Sequence, residues 1–360
     1  VHIGASDAMA LRAWLTSTVV QTATITGYQL EVDDAYGDIM SGSSSRGPNY
    51  TESILKPDVT APGMDILAAV LTNPVSPDPY PEFDFYSGTS MASPHVAGVG
   101  ALLRALHPTW TPAQIQSAIM TTAINRDGIL KEDGVTPTDP FDRGSGRTYA
   151  SAAANAGLLL DETTQDFLDA DPSAGGDPKD LNLASFADGE CMRDCSWVRE
   201  VENPLPYTVT WTADIMPTSE MTLTVTPDTF ELPPGATQVI TVDADVTGLP
   251  TDGTYVFGGI TLVPTTSFTV PVEAFFPVAV MPSSGVIPDL VTINASRDAG
   301  SKLVEDLKAL EISDLTITRY GMTANEDQFS VSEVPNPGFP AIFFQSGVHT
   351  TTITVPEGSP

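Results

Sequence analysis

From about residue 195 onward, apolar and polar positions alternate with a period of two. Tyr207, Val209 and Trp211 alternate with threonines, as do Met221, Leu223 and Val225. Ile240, Val242, Ala244 and Val246 interleave with Thr241, Asp243 and Asp245. Turns at Pro233-Pro234-Gly235 and Asp252-Gly253 separate these runs, and 270–280 supplies a last strand. Short strands at this spacing predict an antiparallel sandwich over 195–282.

Upstream the periodicity is helical. Ser6 can cap a helix running through Ala8, Leu11, Trp14 and Leu15 with one apolar face, and 22–28 reads as a strand. Turn clusters at 41–48 and 56–63 lead to 66–70, read as a short buried strand. A Pro-rich connection over 73–81 then runs into Phe83-Asp84-Phe85-Tyr86. Beyond Ser90 the chain is apolar nearly all round. Ala97, Gly98, Gly100 and Ala101 form a thin face and Leu102, Leu103 and Leu106 fill the rest. That predicts a buried central helix, with Pro94 in its first turn and His107-Pro108 at its end. Thr111-Pro112-Ala113-Gln114 is a capping box that opens a second helix, with Trp110 placed to staple onto Ile115 and with Ile115, Ala118, Ile119 and Ala123 facing inward. A long loop to Ser145 and a short Ala-rich helix over 151–156 follow. Residues 166–194, rich in Asp, Gly, Pro and Ala, read as a linker. Residues 283–360 read as a further, mostly β domain, with Leu303, Leu307 and Leu310 at helical spacing and strands at 315–317 and 351–355. The fold class is therefore α/β followed by all-β.

Charge narrows the partners. Acidic residues number 46 against 15 basic, a net charge of −31. Such a field repels nucleic acid and anionic membranes, which are excluded as partners. No apolar run is long enough to span a bilayer. A solvated, self-repelling surface suits a secreted, extracellular protein. Some carboxylates could build structural calcium sites, but no Asp-x-Asp-x-Asp loop closed by a glutamate occurs, so no ligand is assigned. Cys191 and Cys195 stand apart from any second pair or nearby histidine, which favours a small disulfide loop over a zinc pair. Val1 follows no initiating methionine and runs straight into domain-like sequence, so it reads as a cut end.

The candidate chemistry centres on Ser90. Gly88 permits a sharp turn, and a helix starting there would point unpaired N–H groups at a developing negative charge. A nucleophilic serine and its oxyanion hole require that arrangement. On residues 88–92 alone, a serine that merely caps a helix reads equally well. The longer run Gly88-Thr89-Ser90-Met91-Ala92-Ser93-Pro94-His95-Val96-Ala97-Gly98 resembles, residue for residue, the nucleophile segment of the subtilisin-like serine peptidases, the subtilases. Ser44-Ser45-Arg46-Gly47-Pro48, Lys56-Pro57-Asp58 and Ala61-Pro62-Gly63 are similar to that family's segments before the serine. Ala101-Leu102-Leu103 and 118–123 are similar to its following helices, and Pro140-Phe141-Asp142 with Gly144-Ser145-Gly146 to the branch best known from plants.

That resemblance covers roughly 1–280 and carries several implications. Residues 1–30 would end a protease-associated insert, and 31–165 would form the C-terminal half of the catalytic domain with part of a doubly wound parallel sheet. Residues 195–282 would be a fibronectin-III-like domain, entered at Asp180-Leu181-Asn182 and with Arg199 and Asn203-Pro204 in its first strand. Ser90 would be the nucleophile, with its own N–H and the Thr89 hydroxyl supporting the oxyanion. No cofactor would be required, and the substrate would be a protein or peptide. Ser43 and Ala156 depart from the plant branch, which usually carries phenylalanine and often proline there.

The larger departure is catalytic. In this family the aspartate, the histidine and the oxyanion asparagine precede the insert, and none of their motifs occurs in this sequence. His95 lies five residues after Ser90, so its ring projects from another side of the helix. His107 precedes a proline, and His2 and His349 fall in other domains. Asp58, Asp65 and Asp142 sit in turns, where backbone capping is the usual role. The expectation is a serine endopeptidase when full-length. These residues alone would be inactive, requiring the N-terminal part of the same protein or a second copy. An α/β-hydrolase esterase would need an aspartate and then a histidine after the serine, and only His349 follows far enough. A non-enzymatic extracellular binding protein with an inactive protease remnant is the other reading.

Overall fold

The computed structural model describes residues 5–17, 22, 37–49, 53–71, 83–124, 126–216, 221–266, 271–286 and 308–309. They fall into two units, Val1–Gly37 and Asp38–Pro360. In the first, helix α1 (Ala5–Leu15) begins one residue before Ser6 and leaves Met9, Leu11, Trp14 and Leu15 exposed. The strand read over 22–28 lies outside the described residues apart from residue 22.

The second unit opens with a ribbon. Strands β1 (Ile66–Ala69) and β2 (Phe83–Tyr86) pair antiparallel, with Ile66 opposite Tyr86. The expectation of a buried strand over 66–70 is corrected. Leu67, Phe83, Phe85 and Tyr86 are all exposed, because two strands cover neither of their faces. Helix α2 (Thr89–Leu106) follows, and it too differs from its expected burial. Val96, Val99 and Leu103 form one stripe against Ile115, Ile119, Ala153 and Ala154. Leu102 and Leu106 point away from that contact and remain 66% and 60% exposed. Apolar composition all round thus did not translate into burial all round, since the described elements cover one side only.

Helix α3 (Pro112–Thr121) forms as its capping box requires. Gln114 N–H donates to Thr111 Oγ1 at 3.1 Å, and Thr111 N–H donates to Gln114 Oε1 at 3.0 Å. Trp110, Ala118, Ala156 and Leu159 pack together with Ile115. The short helices α4 (Pro140–Arg143) and α5 (Ala150–Ala153) complete the α/β part. Between α3 and α4, Asp133 caps a tight turn whose Gly134 has φ 68°. The Thr136 hydroxyl and the N–H groups of Thr136 and Val135 hold the Asp133 carboxyl at about 2. Its folded pKa lies below the ordinary 3.8, so the cap stabilises the turn above that pH and is lost as pH falls toward 2. The amide shifts of Val135 and Thr136 are expected to titrate with a midpoint near 2; a midpoint at the ordinary 3.8 would show that the cap does not form.

The rest is a sandwich. Helix α6 (Thr164–Asp169) precedes β3 (Phe186–Cys191), β4 (Asp194–Glu202), β5 (Val209–Ile215), β6 (Thr222–Thr226), β7 (Thr229–Leu232), β8 (Thr237–Asp245), β9 (Val256–Thr265) and β10 (Ala274–Pro282). One sheet runs β3-β10-β9-β5-β7 and the other β4-β8-β6. All pairs are antiparallel except β3 with β10. Strand β3 comes from the stretch whose composition suggested a linker. It is nearly continuously buried beside β10, so it shows no alternation to read. A disulfide between Cys191 and Cys195 joins β3 to β4, and hence one sheet to the other. Strands β11 (Gly285–Val286) and β12 (Lys308–Ala309) pair antiparallel, while Leu303, Leu307 and Leu310, read at helical spacing, lie outside the described residues. The other strands read over 283–360 lie outside the described residues.

The α/β part and the sandwich share a core. Met120, Leu158 and Leu160 pack in one cluster with Val209, Trp211 and Phe276. Phe141 meets Tyr255 and Phe257 edge-on at 4.8 and 5.1 Å between ring centres. Gly157 passes so close that a Cβ there would lie 2.8 Å from Pro271 and 2.9 Å from Trp211. Arg199 fastens the entry segment. Buried to 2% exposure, its guanidinium donates to the carbonyls of Leu183 (2.8 Å), Lys179 (3.1 Å), Val198 (2.8 Å) and Ser185 (3.1 Å) and lies over Phe186. The architecture is that of a partial α/β domain continued by β structure, with the candidate serine on the α/β part.

Candidate active site

Ser90 is the second residue of α2, and it is exposed. Gly88 occupies the N-cap with φ 152° and ψ 168°, a conformation that side chains rarely adopt, and no side chain caps the helix. Met91 and Ala92 donate to the Gly88 carbonyl at 3.0 and 3.4 Å. The N–H groups of Thr89 and Ser90 precede those bonds and have no partner among the described residues, so the positive end of the helix is open at the serine. The Ser90 hydroxyl likewise makes no hydrogen bond among the described residues.

Pro94 stands in the second turn and not the first, because the helix already starts at Thr89. Its ring nitrogen cannot donate to the Ser90 carbonyl four residues back. The turn carrying Ser90 is thus loosened from the helical ladder on its C-terminal side.

The ground beneath the turn is the segment 63–65. Gly88 N–H donates to the Gly63 carbonyl at 2.7 Å. A Cβ on Gly63 would fall 2.8 Å from the Gly88 carbonyl and 3.3 Å from the Ala92 Cβ, so only glycine fits there. Asp65, at φ 51°, donates its N–H to Ser87 Oγ at 2.8 Å, and Ser87 Oγ donates to Asp65 Oδ1 at 3.2 Å. Sequence reasoning placed Asp65 in a capping turn but missed its partner. The signal was available as a serine immediately before the turn glycine.

The remaining polar residues are occupied elsewhere. His95 Nδ1 lies 2.8 Å from the Met91 carbonyl and so donates to its own helix. His107 stacks on Trp110 at 3.8 Å between ring centres, with Nε2 donating to the Ala154 carbonyl at 3.0 Å. Asp58 accepts from Lys56 at 2.8 Å and Gln116 at 3.2 Å. Asp142 is buried, accepts from Asp139 N–H at 3.0 Å as part of the α4 capping box, and pairs with Arg46 and Lys131, each at 3.0 Å. His2 and His349 lie outside the described residues. Among the described residues no group of three or more His, Cys, Asp or Glu side chains could hold a metal ion, and no helix is long and apolar enough to cross a membrane.

Comparison with known proteins points at the same segment. Residues 6–152 match the Subtilase family. Subtilisin-like protease SBT1.7 of Arabidopsis thaliana is 39% identical over 208 residues, covering 49% of this chain and 28% of that protein. The CO(2)-response secreted protease of the same plant is 42% identical over 161 residues, covering 42% and 20%. Subtilisin-like protease SBT3.15, also from A. thaliana, is 34% identical over 245 residues, covering 61% and 32%. The chain thus spans about a third or less of the length of these relatives. Among solved structures, the periplasmic chaperone SfaE overlays 28% of this chain and 55% of its own at 14% identity with a TM-score of 0.22, too low to bear on the architecture.

Proposed function

From the match of residues 6–152 to the Subtilase family, we propose that the full-length protein is a secreted serine endopeptidase whose nucleophile is Ser90. The observation that carries this reading is the exposed serine in the uncapped first turn of α2, beside two N–H groups that the described residues leave unpaired. A general base takes the proton from Ser90 Oγ as it attacks the scissile carbonyl. The Ser90 N–H, assisted by the Thr89 hydroxyl, meets the oxyanion. The base returns its proton to the leaving amine, and water then releases the acyl group from Ser90.

The base comes from outside these 360 residues. His95 and His107 each hold a backbone carbonyl, and neither shares a hydrogen bond with Ser90. Met64, Leu67 and Phe85, on the segments that lead to the serine turn, and Leu102, farther along α2, are exposed apolar side chains of the kind a covering partner would bury. We assign that partner to the N-terminal part of the same protein, with a second copy as the alternative. No cofactor enters the chemistry. The purified 360-residue chain is expected to show no peptide turnover, whereas the full-length protein cleaves. Turnover by the chain alone, abolished by Ser90→Ala, would overturn the requirement for an outside base.

A non-enzymatic extracellular binding protein is the second reading. It draws on the acidic outer face of β4 and β8, where Asp194 stands opposite Asp245 and Ser196 opposite Asp243. Burial, and then the neighbouring Asp245, raise the Asp194 carboxyl above its ordinary range. A full-length protein that binds protein partners but cleaves none would favour this reading.

A further inference from the structure

The β1–β2 ladder ends in an unequal step just before the serine turn. Ile66 stands opposite Tyr86, and the next backbone bond joins Gly88 to Gly63 at 2.7 Å. Between those two pairs, one strand has two residues, Met64 and Asp65, and the other has only Ser87. This two-against-one arrangement is a β-bulge, a device that re-aims the chain and leaves a backbone group without its ladder partner. The group left over is Asp65 N–H. The Ser87 hydroxyl accepts from it at 2.8 Å, in place of the missing carbonyl, and donates in turn to the Asp65 carboxylate at 3.2 Å. Asp65 adopts the left-handed φ of 51° that this closure needs.

We propose that the Ser87 hydroxyl, through its paired bonds to Asp65, is the positioning group that sets where Ser90 stands. It closes the bulge, the closed bulge fixes Gly88 over Gly63, and Gly88 is the N-cap from which Ser90 projects two residues later. Without the hydroxyl, Asp65 N–H loses its partner and the left-handed residue loses its tether. Gly88 then depends on a single backbone bond, and Ser90 gains freedom in the direction of attack. A small displacement of a nucleophile lowers the rate of the chemical step far more than it lowers substrate affinity. This role rests on Ser90 being the nucleophile.

The test is steady-state peptide hydrolysis by the full-length protein and its Ser87→Ala and Ser87→Thr variants, with amide exchange of segments 63–66 and 87–90 measured alongside. Ser87→Ala is expected to lower kcat roughly tenfold with KM within about twofold, and Ser87→Thr, which keeps the hydroxyl, to restore most of the loss. Exchange in both segments should quicken in the alanine variant and return in the threonine variant. An active wild type whose kcat survives Ser87→Ala overturns the positioning role while leaving Ser90 as nucleophile. The same holds if exchange quickens but kcat does not fall. A wild type that cleaves nothing overturns the reading of Ser90 itself, and the clamp's role with it. Should Ser87→Ala lower kcat only as far as it lowers the folded fraction, shown by a matching loss in thermal unfolding midpoint, the positioning role also fails.

Discussion

Ser90→Ala is expected to abolish peptide hydrolysis by the full-length protein, lowering kcat by on the order of 10³- to 10⁶-fold, the range found for serine-peptidase triads. KM should change little, because the methyl group removes the nucleophile and leaves the binding surface in place. The fold should tolerate the change. Ser90 is exposed, makes no hydrogen bond among the described residues and does not cap α2, so its replacement by a better helix former disturbs neither packing nor capping. An unfolding midpoint equal to that of the wild type separates lost chemistry from lost structure. Activity that survives Ser90→Ala would move the nucleophile elsewhere.

Arg199→Met is expected to cause the largest loss of stability, about 2–4 kcal/mol. Burial draws the arginine down to about 10, so removing the charge relieves a desolvation cost. That relief is outweighed. The carbonyls of Lys179, Leu183 and Ser185 lose their donor, the Ser185 bond being buried and the other two half-buried, and the contact on Phe186 goes as well. Arg199→Lys should fall in between, since one ammonium cannot span carbonyls spread over seven positions of the entry segment. Urea unfolding of the full-length protein measures the difference. Equal midpoints for all three proteins would mean that the entry segment does not depend on this side chain.

How much of this was legible depended on how local the determining physics was. The α3 capping box is written in four consecutive residues and closes on itself, so it could be read directly. The alternation of β4, β5 and β8 could also be read, because each keeps one face in the core and one outside. The Ser90 turn was legible through Gly88, whose conformation no other residue adopts easily. Other features rest on distant neighbours. Helix α2 has an apolar composition but owes its burial to whatever covers it, which its own residues do not encode. Strand β3 is buried on both faces beside β10, so its residues lost the period that would have marked them as a strand. The Ser87–Asp65 pair spans 22 positions and becomes visible only when β1 and β2 are laid side by side. Pro94 was misplaced by one turn because the helix starts at Thr89, ahead of the position its proline suggested.

If Ser90 is an activated nucleophile in the full-length protein, it reacts with a serine-directed electrophile. The most direct test is to treat that protein with a fluorophosphonate and locate the adduct by peptide mass spectrometry. A single adduct is expected, on Ser90, and it is lost when the protein is unfolded before treatment. An intact protein that takes up no label, or takes it up on another serine, would contradict it.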